Sequence, residues 1–109
     1  MRLTPLLALA AACALFCEQA ALAQTQAALP ELLSKNACTA CHAVDRKLIG
    51  PAMRDVAGKY RGDKESAARL TKKIKSGGSG AWGSIPMPPQ PALKDEDLRL
   101  IVKHVLELK

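Results

Sequence analysis

Cys38, Thr39, Ala40, Cys41, His42 is the stretch on which the rest of the chain depends. Two thiols three positions apart can each add across a vinyl group of haem, and the histidine that follows is then held close enough to the iron to become an axial ligand. The spacing predicts covalent haem attachment, with the chain wrapped round its own cofactor. A redox dithiol would sit beside a βαβ pattern, and a zinc site would need a second Cys or His pair at matching spacing. Neither is in the sequence: no cysteine follows Cys41, and the only other histidine is His104.

The 109 residues allow one domain at most, and the first 23 read as an export signal. Arg2 makes the positive end, Leu6 to Phe16 is an apolar run, and Ala21, Leu22, Ala23 has the small-x-small pattern of a cleavage site before Gln24. The run is too short to span a bilayer comfortably, so no membrane span is expected in the mature chain, 24–109. Cys13 and Cys17 would leave with the signal. A lipoprotein signal on Ala10, Ala11, Ala12, Cys13 is the rival, but it lacks the usual large aliphatic residue ahead of the small ones. Export agrees with the haem motif, because bacteria attach haem covalently outside the cytoplasm. The expected location is the periplasm.

Arg2 and Glu18 would be removed together, so cleavage leaves the net charge of +6 unchanged. Such a charge steers encounters with an acidic partner. Nucleic acid is not expected, because one Trp, one Tyr and a Phe inside the signal give no aromatic ladder on which bases could stack. So small a chain is a poor builder of its own core, and a porphyrin would supply the missing apolar mass.

Four helices are legible. The first begins near Pro30, where a proline at the first helical position gives up no hydrogen bond, with Leu29, Leu32 and Leu33 on one side. Pro51 to Tyr60 follows a loop punctuated by Gly50, with Met53 and Val56 inward. Asp63 to Ser76 carries Ala67, Leu70, Thr71 and Ile74 at helical spacing and stops at Gly77. Asp95, expected as the cap, opens the last helix, in which Leu98, Ile101, Val102, Val105 and Leu106 form a full amphipathic stripe. Gly77, Gly78, Ser79, Gly80 reads as a turn. Pro86, Pro88, Pro89 and Pro91 fall within six residues and read as a stiff extended run that forbids a sheet ladder; no strand is expected. The fold class is all-α.

The candidates for a sixth iron ligand are Met53, Met87 and His104. Met53 sits on an apolar helical face only 11 residues after His42, where core filling is the better reading. Met87 is 45 residues on, far enough for the chain to round a haem, in a proline frame that leaves the sulfur little entropy to lose. Met87 is favoured, with His104 or an open, water-filled position as alternatives. His104 otherwise belongs to the Leu100, His104, Leu108 edge of the last helix.

Together these residues resemble the short bacterial class I cytochromes c of the cytochrome c-551 type. The likeness runs through Cys38 to Ala43, Gly50, Pro51, Ala52 with Asp55, Val56, Ala57, then Ile74, Lys75 and the more specific Trp82, Gly83, Ser84, Ile85, Pro86, Met87, Pro88, Pro89. It implies the cytochrome c fold, about four short helices round one haem, in a monomeric electron carrier that is not an enzyme. The implied partners are periplasmic redox proteins such as a membrane cytochrome complex, nitrite reductase, a terminal oxidase or a dehydrogenase. It also implies thioether bonds at Cys38 and Cys41, axial ligands at His42 and Met87, the Pro51 carbonyl as acceptor for the His42 ring, and a Trp82 donor to a haem propionate. Departures are Lys73, where the family often has Arg to pair a propionate; Gln90, where Asn commonly bonds the Met sulfur; His104, where relatives can have Trp; and one extra residue before the last helix. Rival functions are a haem subunit held permanently in a dehydrogenase and a gas-binding module with a labile Met ligand.

Overall fold

The computed structural model describes residues 28–109; the predicted signal 1–23, its cleavage point and the short lead after it lie outside the described residues. Four helices make the frame. Residues 28–35 (α1) are followed by a 3₁₀ turn at Cys38–Ala40, then α2 (Met53–Tyr60), α3 (Ser66–Ser76) and α4 (Asp95–Leu106). Between α3 and α4 runs an antiparallel hairpin of β1 (Gly78–Gly80) and β2 (Gly83–Met87).

The core forms where α1 and α4 meet α2 and α3. Leu29 and Leu33, four apart and hence on one face of α1, are both 1% exposed. They share a cluster with Leu98, Ile101, Val102 and Val105 of α4, Met53 and Val56 of α2, and Leu70 of α3. Each such aliphatic side chain taken from water stabilises the fold by about 1.5–3 kcal/mol. At one edge, Lys35 Nζ lies 3.0 Å from Asp97 Oδ2 and Asn36 Nδ2 donates to the same oxygen at 3.2 Å, tying the end of α1 to the first turn of α4.

Several element details differ from the sequence reading. Helical structure already includes residue 28, so Pro30 lies inside α1. Helix α3 starts at Ser66, because Asp63 turns inward on its own backbone: its Oδ1 accepts from Glu65 N–H at 2.8 Å and its carbonyl from Ser66 N–H at 3.2 Å. The buried face of α3 is consequently Ser66 and Leu70, with Ala67 exposed. Asp95 is a first-turn residue of α4, whose cap position is Lys94; its carboxylate pairs with Lys75 Nζ at 3.1 Å.

The strands were unexpected. Proline removes a ladder donor, yet Pro86 is tolerated in β2 because the ribbon is short, two-stranded and irregular in register, with Gly78 opposite Met87 and Gly80 opposite Gly83. Gly78, Gly80 and Gly83 all have φ between 107° and 111°, conformations side chains rarely adopt. The two residues enclosed by Gly80 and Gly83, Ala81 and Trp82, form the turn.

Candidate haem site

The haem motif is built on a tightened backbone. His42 N–H donates to Cys38 O at 2.9 Å and Cys41 N–H to the same carbonyl at 3.2 Å, so both thiols and the imidazole leave one turn. Ala37, just before it, takes the left-handed conformation with φ 58°. The following loop is pinned by Gly50 N–H donating to Cys41 O at 2.8 Å. The first N–H groups of α2 have no side-chain cap; Met53 and Arg54 donate instead to Ala43 O and Val44 O, both at 3.0 Å.

His42 Nδ1 lies 2.8 Å from Pro51 O. A carbonyl only accepts, so Nδ1 carries the proton and Nε2 is left with the free lone pair. The ring rests flat against Gly50, where a Cβ would stand 2.8 Å from Nδ1 and 3.0 Å from Nε2. In sequence Gly50 only punctuates a loop; the contact comes from a ring eight positions earlier, which no local pattern reports.

His42 opens into a cavity of about 420 Å³. Cys38, Cys41 and Pro51 line it on the motif side; Met87, Trp82 and Ile85 line it from the hairpin, Lys73 and Leu70 from α3, Met53 and Val56 from α2, and Ile101 and Val105 from α4. As a free thiol, Cys38 is pushed above its ordinary value by burial. The hairpin base is fixed by Gly77, whose φ of 65° excludes ordinary side chains and whose Cβ position would meet Pro89 N at 2.7 Å. Gln90 also lines the cavity, and its N–H donates to Ile74 O at 3.0 Å.

Cys38, Cys41, His42, Pro51, Lys73, Trp82 and Met87 are therefore gathered round one cavity. The two other ligand candidates fall differently. Met53 is 8% exposed and belongs to the core as well as to the cavity wall. His104 does not line the cavity; its Nδ1 lies 3.7 Å from Glu107 Oε2, near the end of α4.

The sequence model of the Cytochrome c family matches residues 28–109. The chain belongs to the cytochrome c family. It is 48% identical over 81 residues to cytochrome c-551 of Pseudomonas aeruginosa, spanning 73% of this chain and 77% of that one. Cytochrome c-551 of Stutzerimonas stutzeri is 44% identical over 107 residues, 98% of this chain and 96% of the relative. The crystal structure of wild-type Nitrosomonas europaea cytochrome c552 superposes with a TM-score of 0.70 at 45% identity, covering 73% of this chain and 99% of that one. The chain is accordingly a class I monohaem cytochrome with the cytochrome c fold, a small electron-transfer haemoprotein and not an enzyme.

The cavity's chemistry fits the family's covalently attached haem c. Its walls are mainly apolar, as a porphyrin face requires, and they bring to it two cysteines, one imidazole and the thioethers of Met53 and Met87. Lys73, a cation, and Trp82, whose indole carries an N–H donor, also line it.

Proposed function

We propose that the chain is exported, loses residues 1–23, and works as residues 24–109 in the periplasm, passing single electrons between redox proteins. The haem, when bound, supplies the one-electron iron couple, and the protein sets its ligands and surroundings. In this reading Cys38 and Cys41 carry the thioether bonds and His42 and Met87 are the axial ligands. The observation that carries it is that His42 and Met87 line one cavity, while Met53, though in its wall, is packed into the core and His104 lies outside it. The Nδ1–H bond to Pro51 fixes the ring and leaves Nε2 as the ligand nitrogen, making it a better donor. The Met87 thioether favours ferrous iron and raises the potential. Lys73 and Trp82 pair the propionates.

Export is supported by the charge, apolar run and small-residue pattern of the first 23 residues, and by an alignment with the Stutzerimonas stutzeri protein that is long enough to run into them. No described helix is long and apolar enough to cross a membrane. The excess of cations, including Arg46, Lys47 and Lys72, suits acidic docking surfaces on a membrane cytochrome complex, a reductase, an oxidase or a dehydrogenase.

Spectroelectrochemical titration of the purified haem protein under carbon monoxide tests the carrier reading. A reversible one-electron couple with ferrous spectra unmoved by the gas is expected. Ready carbon monoxide binding would move the assignment to a gas-binding module.

A further inference from the structure

The hairpin from Gly78 to Met87 packs little against the helices: residues 78–86 are all exposed to solvent or to the cavity. It still forms a wall of the cavity, with Met87 at its base and Trp82 at its tip. Its base is held to α3, where Gly77 N–H donates to Lys73 O at 2.7 Å and Gln90 N–H to Ile74 O at 3.0 Å. Across the cavity, the tip is held by a single side chain of α2. Lys59 Nζ donates to Ala81 O at 2.9 Å and stands 4.7 Å from the centre of the Trp82 ring. Among the described residues this is the only side-chain hydrogen bond the hairpin receives.

We propose that Lys59 is a clasp, a positioning residue that keeps the hairpin closed over the haem cavity and so limits how often Met87 can leave the iron. The inference rests on the His42 and Met87 ligation proposed above. An ammonium over an indole face is attracted by the ring's quadrupole, and its N–H bond to a carbonyl is charge-assisted. Both contacts close on the same two-residue turn. Flanking glycines at φ 107° and 110° make that turn easy to deform, so in the haem-loaded protein the clasp and the Trp82 bond to a propionate are what hold it down. Without the clasp the hairpin is free to open as a local unit from its tip, and the ladder that ends at Gly78 and Met87 is the last part of it to yield.

The test uses the haem-loaded ferric protein and three variants: Lys59→Met, which keeps the stem and loses the ammonium; Lys59→Arg, which restores a cation and donor; and Lys64→Met, which removes one exposed charge elsewhere. Cyanide is added at concentrations where opening limits the rate, and loss of the ferric Met-sulfur band is followed. Lys59→Met should exchange about ten-fold faster, equivalent to ~1.4 kcal/mol, with Lys59→Arg near wild type and Lys64→Met unchanged. Equal rates in Lys59→Met and Lys64→Met would overturn the clasp. Hydrogen exchange at the Trp82 indole N–H gives a reading independent of the ligand: it should quicken in Lys59→Met alone, and no change there refutes the clasp. A wild type lacking the Met-sulfur band would instead refute the Met87 ligation, leaving the indole exchange to decide on the clasp.

Discussion

At the scale of single residues, two small side chains carry opposite expectations. Ala37 sits at φ 58°, where a non-glycine residue pays about 1–2 kcal/mol for its Cβ, whereas replacing Ala by Gly costs roughly 0.4–1 kcal/mol through the unfolded chain. Relief of strain exceeds entropy here. Ala37→Gly should therefore raise the denaturant midpoint, by the equivalent of roughly 0.5–1 kcal/mol, and a lowered midpoint would contradict that balance. Gly50→Ala should do the reverse, because the new methyl has to displace the His42 ring; overpacking of this kind costs about 1–3 kcal/mol, read from the same denaturation curve. The Cys38, Cys41, His42 triplet was legible because its spacing names the attachment and the ligand together. The need for alanine's replacement or glycine's retention was not, since one depends on a backbone angle and the other on a ring brought back by the fold.

At the scale of elements, helical periodicity was a good guide to the buried stripe of α4 and the Leu29, Leu33 face of α1, and a poor guide to ends. Asp63 and Asp95 both look like caps, but a short carboxylate near a helix start has competing uses: the first closes a local turn and the second pairs with Lys75. The hairpin escaped notice because glycine and proline depress every strand signal while permitting a short, exposed ribbon. Nor does sequence reveal that Asp97, one of three acids in the first turn of α4, is the buried one. Hydrogen bonds from Lys35 and then Asn36 hold its carboxyl below the usual range. The folded chain thus binds that proton less readily than the unfolded chain, so the tie between α1 and α4 contributes fully above the ordinary carboxylate range and is lost as pH falls through the lowered value. Asp97→Asn should be less stable than wild type at neutral pH, and the gap in urea midpoint should close in acid. A gap independent of pH would show that the charge is not what matters.

At the scale of the whole molecule, cofactor and fold are expected to be inseparable, since the side chains that form the core also wall the cavity. Cys38→Ala combined with Cys41→Ala should leave a largely unfolded chain, checked by far-ultraviolet circular dichroism; native helicity without haem would contradict this. The charge of +6 gives a further expectation: electron-transfer rates with an acidic partner should fall as salt is added. A rate flat in salt would instead point to apolar docking, with the charges only solvating the rim. The all-helical frame and the haem cavity were legible together, because a small chain with few aromatics has little else to fold round; what remained hidden was how a hairpin brings Met87 to that cavity. The most direct test of the account is the ferric near-infrared Met-sulfur band in wild type, Met87→Ala and Met53→Ala. The account predicts a band in wild type, its loss in Met87→Ala with haem still covalently held, and its persistence in Met53→Ala despite a core loss of roughly 2–5 kcal/mol. A band that survives in Met87→Ala, or is missing from wild type, would contradict it.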